Sequence, residues 1–223
     1  MAFEISTAKK QVLEKLADRD WSPTELAEEL GKSPGTVYNH LHDLAEQGVL
    51  TTQEVAAKTR PKTEYSIGDG FVQYIAVLPG TFAEGTLALD ANKAAFLRIW
   101  LVPQAAFHPY LEELWWRLKQ EDGLEAAAVY GSVARGEAGP DSDIDLLLIA
   151  ADETAAERLE DEYGSLRLTA DGRSKLCMAE VYNREEYRNS VAHGSEFLEN
   201  VQEELHMIHD PDRLLDRPEV LQQ

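Results

Sequence analysis

The sequence is poor in cysteine, in basic residues and in long apolar runs, and each shortage excludes a class of protein. A single cysteine, Cys177, excludes an internal disulfide and a zinc site built from several thiolates. No apolar run approaches the roughly 20 residues that span a bilayer, and the N-terminal segment lacks the apolar core of a signal peptide. We therefore expect a cytoplasmic protein with no membrane association.

The charge balance is strongly acidic. The 223 residues include 21 basic and 41 acidic side chains, which gives a net charge of -20. Such a charge repels nucleic-acid phosphates, so any contact with DNA must come from a local basic patch. The composition resembles that of proteins from salt-loving archaea, in which concentrated salt screens self-repulsion. This resemblance indicates a halophilic habitat.

The N-terminal part has the pattern of a helix-turn-helix followed by a β-hairpin wing. Ser22 and Ser33 are each followed by proline, which predicts two helix starts, and Gly48 predicts the end of the third helix. Two β-rich stretches follow, separated by a short polar loop. Over residues 5–70 this layout resembles the winged helix domains of the ArsR and MarR type.

In such domains the third helix enters the major groove of DNA and the wing contacts the phosphate backbone. Val37, Leu41 and Leu44 have inward helical spacing, so the other side of that helix would face DNA. The residues that the resemblance places toward DNA are Ser33, Thr36, Tyr38, Asn39 and His40 on the helix and Lys58, Arg60 and Lys62 in the wing. Residues 1–70 contain eight basic and twelve acidic residues, a net charge of -4. A protein-protein or dimerisation module is therefore the alternative.

A helical pattern that is apolar on more than one side follows a Pro-Gly turn at residues 79–80 and ends at Pro103. A helix of this kind is typical of a connector packed between domains or against a second subunit. The patterns divide the chain into a winged helix-turn-helix domain (residues 1–75), a helical connector (76–103) and a C-terminal domain (104–223).

The C-terminal domain contains the motif that points to chemistry. An apolar strand, Leu124 to Tyr130, runs into Gly131-Ser132, and ten residues later Asp143-Ile144-Asp145 opens a second strand that ends at Ala150. Because alternate residues of a strand point to the same side, Asp143 and Asp145 present two carboxylates on one face. Such hard oxygen ligands suit Mg²⁺, which also takes oxygens from a triphosphate.

The residues around the acidic pair fit a triphosphate. Gly131 lets the backbone approach a phosphate closely, and Ser132 with the start of the following turn offers hydrogen-bond donors. Arg135 supplies a cation and Gly136 permits the turn. The predicted nucleotide-binding residues are Gly131, Ser132, Arg135, Gly136 and Ser142. The alternatives are a solvated acidic turn and a calcium loop, which requires glycine at the position of Leu146.

This stretch resembles the signature of the DNA polymerase β-like nucleotidyltransferase superfamily, most closely its minimal nucleotidyltransferase branch, over residues 104–210. The resemblance implies adenylyl transfer from ATP with two Mg²⁺ ions, in which an acceptor hydroxyl attacks the α-phosphorus and pyrophosphate leaves. It also implies a third carboxylate, and Glu180 is the only acid in the candidate strand KLCMAEVY. If the position falls on Met178 instead, the alternative is a catalytically inactive, nucleotide-sensing transcriptional regulator.

The expected fold is α+β, with an N-terminal winged helix-turn-helix, a helical connector and a C-terminal mixed-sheet nucleotidyltransferase domain. Members of the minimal branch often act as antitoxins that modify a HEPN-type protein, so the resemblance implies a partner of that class. We expect a homodimer, because winged helices usually read two half-sites. The segment after Asn183 predicts two helices, which would place His206 and His209 one helical turn apart.

Overall fold

The computed structural model describes residues 5–56, 61–68 and 70–215. Contacts divide the chain into two compact units, residues 1–90 and 91–223. Each unit buries its own hydrophobic core. Within the described residues, every helix is too short or too polar to cross a bilayer.

The first unit begins with three helices and a two-stranded antiparallel sheet. Each helix starts at a serine whose hydroxyl accepts a hydrogen bond from a backbone N–H in the first turn. Ser22 and Glu25 form a reciprocal capping box. The elements are α1 (Thr7–Asp18), α2 (Pro23–Glu29), α3 (Pro34–Glu46), β1 (Leu50–Val55) and β2 (Lys62–Ile67).

The core of these elements follows the predicted helical spacing. Val37, Leu41 and Leu44 of α3 are fully buried against α1 and α2 side chains. Trp21 exchanges two backbone hydrogen bonds with Tyr65 of β2, at 3.0 and 2.9 Å, and this isolated antiparallel bridge attaches the segment before α2 to the wing sheet. Three helices followed by this sheet confirm the predicted winged helix-turn-helix.

A second hairpin, which was not predicted from the sequence, completes the first unit. Strands β3 (Phe71–Leu78) and β4 (Thr81–Ala88) pair in register around the turn at residues 79–80. Apolar residues occupy both faces of β3, so its period of two is hidden in the sequence. The predicted connector, residues 76–103, is therefore divided: its first part is β-strand in the first unit, and its second part is helix in the second unit.

The second unit is a mixed five-stranded sheet with helices on both faces. Its strands lie in the order β7-β8-β6-β5-β9, with β6 and β8 parallel and the other pairs antiparallel. The predicted mixed sheet is therefore confirmed. The elements are α4 (Ala91–Trp100), a 3-10 turn (Ala105–Phe107), α5 (His108–Leu118), β5 (Leu124–Tyr130), α6 (Gly131–Arg135), β6 (Ile144–Ala150), α7 (Glu153–Tyr163), β7 (Leu166–Ala170), β8 (Arg173–Asn183), α8 (Arg184–Ala192), α9 (Glu196–Glu204) and β9 (His206–His209).

The central strand β6 divides its side chains between two cores. Ile144, Leu146 and Leu148 belong to the core that contains buried residues of α4, α5 and α7. Leu147 and Ile149 belong to the opposite core, under α8 and α9. Because side chains alternate along a strand, Asp145 lies on the α8 and α9 side. The Asp145 side chain of the acidic motif therefore faces the same side of the sheet as α9.

The C-terminal prediction is wrong for residues 206–209, which form strand β9 and not part of a helix. His206 pairs with Val129 of β5, and this sheet pairing overrides the local helical pattern. The two histidines therefore do not share one face: His206 Nε2 lies 2.6 Å from the Arg98 carbonyl oxygen, and the His209 ring packs 5.2 Å from that of Trp115.

Candidate active site

Gly131 stands at the point where β5 turns into α6. Its φ of +70° lies in the left-handed region that favours glycine. A Cβ atom at this position would lie 2.6 Å from Asp145 Oδ2, which is closer than van der Waals contact allows. Glycine is required on both counts, and the backbone of the turn passes directly beside a carboxylate.

Gly136 ends the short helix α6 and returns the chain toward β6. Its φ is +76°, and a Cβ atom there would lie 2.9 Å from the Cβ of Pro103. The carbonyl of Ser132 accepts a 2.8 Å hydrogen bond from Glu137 N–H, which closes the turn. The turn expected at Gly136 is present, and it holds the Ser132 backbone in place.

Asp143 and Asp145 flank the first residue of β6. Asp143 is exposed just before the strand, and Asp145 is half-buried within it. Burial raises the pKa of the Asp145 carboxyl, and the negative charges of Asp143 and Glu204 raise it further, against an opposing effect of Arg135. Asp143 and Glu204 therefore repel the Asp145 carboxylate, and a bound cation would reduce this repulsion.

Ser142 has a structural hydrogen bond in the loop before the acidic pair. Its hydroxyl accepts a 2.9 Å hydrogen bond from Gly139 N–H, and Lys175 of β8 donates to its carbonyl oxygen at 3.2 Å. Lys175 also donates to the carbonyl of Pro140. The predicted nucleotide-binding residue Ser142 thus fixes the loop that delivers Asp143.

The register of β8 fixes the position of the candidate third carboxylate relative to Asp145. Met178 lies directly opposite Asp145, and Glu180 lies opposite Leu147, one row further along the same face. Glu180 is exposed to solvent. Across the described ranges, no three His, Cys, Asp or Glu side chains come together as a group that could hold a metal.

Glu204, at the end of α9, is part of this site although the sequence did not indicate it. Its Oε1 accepts a 3.0 Å hydrogen bond from Gly131 N–H, and its Oε2 accepts one from Arg135 Nη1. Arg135 also donates through Nε to Glu137 at 2.9 Å. Two of the predicted phosphate donors are therefore engaged by a carboxylate. No motif or spacing connects Glu204 to the acidic pair, so only the fold could show it.

Tyr130 is a second residue that the sequence did not assign to the site. It lies opposite Asp145 in the sheet, and its ring makes an edge contact with Phe197 of α9, with 5.8 Å between ring centroids. Burial, followed by the charges of Asp145 and Glu180, raises the pKa of Tyr130 to about 12. Its phenol is therefore neutral, and it lies beside Asp145 in the sheet.

The first unit presents most of the predicted DNA-facing residues of α3 to solvent. Thr36, Tyr38 and Asn39 are exposed and His40 is half-buried. Ser33 is exposed and also caps the helix, because its hydroxyl accepts a 3.2 Å hydrogen bond from Thr36 N–H.

Among the predicted wing contacts, the structure describes Lys62. Lys62 is paired with Glu25 at 3.1 Å and with Glu64 at 2.8 Å, so it must exchange these partners to meet a phosphate. Lys58 and Arg60 lie outside the described residues.

The folds and the site define two classes of domain. Three helices with a β-wing make the first unit a winged helix-turn-helix, and the second unit is a mixed sheet that sets an Asp-x-Asp strand beside a Gly-Ser turn. Comparison with protein families gives the same result: residues 111–202 match the nucleotidyltransferase domain, and residues 6–52 match the bacterial regulatory protein, arsR family. No curated protein matches the chain. The chain therefore joins an ArsR-type helix-turn-helix to a nucleotidyltransferase domain, as predicted.

Proposed function

We propose that the second unit transfers adenylyl from ATP to a hydroxyl of an acceptor protein and releases pyrophosphate. The observation that carries the proposal is the close passage of the Gly131 backbone beside Asp145, where a Cβ atom would lie 2.6 Å from Oδ2, because it brings a potential phosphate donor beside a potential metal ligand. Arg135 lies one turn of α6 away and contributes positive charge to the same place. These groups match what a triphosphate and its counter-ion require.

The donor set fits Mg²⁺, and nucleotidyltransferase domains generally use divalent metals. Asp143 and Asp145 offer hard oxygens, and their mutual repulsion would fall if a cation bound. Mg²⁺ is commonly held by one or two protein carboxylates, with the remaining oxygens supplied by phosphates and water. Two carboxylates are therefore enough to hold a nucleotide-bound ion. When present, such ions polarise the α-phosphate and neutralise charge on the leaving pyrophosphate.

The chain's own residues then orient the nucleotide. In this proposal Gly131 N–H and the Ser132 hydroxyl donate to phosphate oxygens, while Arg135 neutralises their charge. The acceptor oxygen bonds to the α-phosphorus as the bond from that phosphorus to the bridging oxygen breaks, and the electron pair leaves with pyrophosphate. The acceptor proton passes to a carboxylate, and Glu180 is assigned this role because it shares the sheet face of Asp145.

The second candidate is a nucleotide-sensing regulator without catalysis. The observation that favours it is the register that puts Met178 opposite Asp145. In that case Asp143 and Asp145 hold the nucleotide with its ion, no transfer follows, and the ArsR-type domain carries the response to DNA.

A labelling experiment separates the two candidates. The chain is incubated at high salt with Mg²⁺ and α-labelled ATP, with and without proteins encoded by neighbouring genes. We expect label on an acceptor, with Asp145→Asn lowering transfer about 100- to 1000-fold, as is typical when an electrostatic group at a reacting centre is lost. Asp141→Asn is the matched control, because Asp141 is an exposed acid in the same loop.

The Glu180→Gln variant tests whether Glu180 accepts the proton of the acceptor hydroxyl. Transfer that falls while ATP binding is unchanged supports Glu180 as the proton acceptor. Binding of ATP that Asp145→Asn abolishes, without transfer to any acceptor tested, would favour the sensor. Absence of ATP binding in the unmodified chain would refute both candidates.

The remaining partners stay predictions. A HEPN-type acceptor and an antitoxin-like role come from the family resemblance alone. The homodimer is consistent with Trp100 and Trp116 of the second unit, which are 58% and 54% exposed, because exposed aromatic side chains are frequent at interfaces. DNA contact is proposed through Thr36, Tyr38 and Asn39.

A further inference from the structure

Glu204 fills the place that the proposed function assigns to phosphate. One of its carboxylate oxygens takes Gly131 N–H at 3.0 Å and the other takes the guanidinium of Arg135. The side chain is 23% exposed, so it is held against the turn and does not lie free in solvent. A carboxylate oxygen and a phosphate oxygen are the same kind of acceptor, and both cannot use these donors at once.

The backbone of Glu204 is fixed beside the turn. The residue is the last of α9, and two positions later His206 pairs with Val129, which is itself two residues before Gly131. The carboxylate can therefore leave its donors by side-chain rotation without displacement of α9. A surface cleft of about 580 Å³ adjoins it and offers room for that rotation. The cleft is lined by Ala134, Arg135, Asn200, Glu203, Glu204 and Leu205.

The Glu204 carboxylate experiences both attraction and repulsion at this place. Arg135 and Gly131 attract the Glu204 carboxylate, while the nearby carboxylate of Asp145 repels it. Arg135 also keeps its 2.9 Å hydrogen bond to Glu137 when Glu204 leaves. When Glu204 leaves, the Arg135 guanidinium therefore still has a hydrogen-bond partner, and the repulsion between Glu204 and Asp145 is reduced.

We propose that Glu204 is a built-in competitor of the nucleotide: an autoinhibitory carboxylate that must leave Gly131 and Arg135 before a triphosphate binds. This inference rests on the proposed function of the same site. A site that is open for only part of the time binds with an apparent affinity reduced by that fraction. Any partner or ligand that draws Glu204 into the cleft would therefore activate the transferase.

The test is binding of an α,β-methylene ATP analogue with Mg²⁺ to the full chain, measured by isothermal titration calorimetry. Glu204→Gln keeps the shape of the side chain and an acceptor for Gly131 N–H but removes the charge that pairs with Arg135. We expect this variant to bind about tenfold more tightly than the unmodified chain, equivalent to about 1.4 kcal/mol. Glu203→Gln, the matched control, removes the same charge from an exposed neighbour and should change affinity less than about twofold.

Four outcomes would overturn the proposal. Equal affinity of the unmodified chain and Glu204→Gln would refute the competitor and leave the transferase intact. Weaker binding by Glu204→Gln would make Glu204 a positioning residue for Arg135. An equal gain in Glu203→Gln would show a general effect of charge. No binding by any of the three proteins would refute the nucleotide site and its competitor together.

Discussion

Gly131 and Gly172 have similar positive φ angles but different surroundings. Their φ angles are +70° and +74°, in the region where side chains with a Cβ atom are strained. Around Gly172 a Cβ atom would meet nothing within 4 Å, whereas at Gly131 it would meet the Asp145 carboxylate at 2.6 Å. The two positions therefore allow the backbone cost to be separated from the cost of crowding the site.

We predict that Gly172→Ala loses roughly 1–2 kcal/mol of unfolding free energy, from the left-handed backbone alone. Gly131→Ala should lose more, up to about 3 kcal/mol, because Asp145 must move away from the turn. Urea unfolding at high salt measures both losses. Nucleotide binding should fall in Gly131→Ala and stay unchanged in Gly172→Ala. If the two variants behave alike in both measurements, the approach of Asp145 to the turn has no functional role.

Glu180 shows where reasoning at the residue scale stops. Strand alternation predicts that Met178 and Glu180 share a face, and this is what the structure has. Strand alternation does not determine which of the two residues pairs with Asp145, because that depends on the register between β6 and β8. The register is set by pairing over residues 144–150 and 177–183, which no local pattern encodes.

The helix α3 is the element for which the sequence was most informative. Its start at a Ser-Pro pair, its inward residues and its end near residue 47 all follow from local rules, because capping and helical period are local properties. Ser33, which is predicted to contact DNA, also caps this helix. Asn39 lies opposite the buried row of the helix and Tyr38 lies on its flank, and both are exposed.

We predict that α3 reads DNA through this exposed side. In a selection of genomic fragments by the full chain, the double variant Tyr38→Ala, Asn39→Ala should lose the enriched sequences, since each base contact that is lost costs roughly 1–3 kcal/mol. Gln11→Ala is the control, because Gln11 is an exposed polar residue of α1 and not of the recognition helix. Retention of the same sequences by the double variant would instead favour a protein-protein role for this helix.

The charge of the whole molecule sets the conditions under which it folds. A net charge of -20 opposes a compact state, and few basic residues are present to offset it. Salt shortens the range of this repulsion from about 10 Å at 0.1 M to about 3 Å at 1 M. Folding should therefore depend on salt more than is usual.

We predict that the thermal unfolding midpoint rises between 0.1 M and 2 M KCl. A gain of about 2 kcal/mol corresponds to roughly 4–8 °C for a chain of this size. Calorimetry at constant pH measures the midpoint, and sucrose of equal osmolality provides the control because it does not screen charge. A midpoint that does not respond to KCl would refute the halophilic interpretation.

The sequence by itself determined the features that depend on neighbours along the chain. The helix starts, the buried row of α3, the strands 124–130 and 144–150 and the Gly-Ser and Asp-x-Asp spacing are all readable from local periodicity and capping. Tertiary structure decided what depends on long-range pairing. Four features require pairing or contact that local patterns do not encode. They are the hairpin of residues 71–88, the strand at 206–209, the pairing of Met178 with Asp145 and the hydrogen bond between Glu204 and Gly131. Such contacts follow from the packing of the whole sheet, which no single segment specifies.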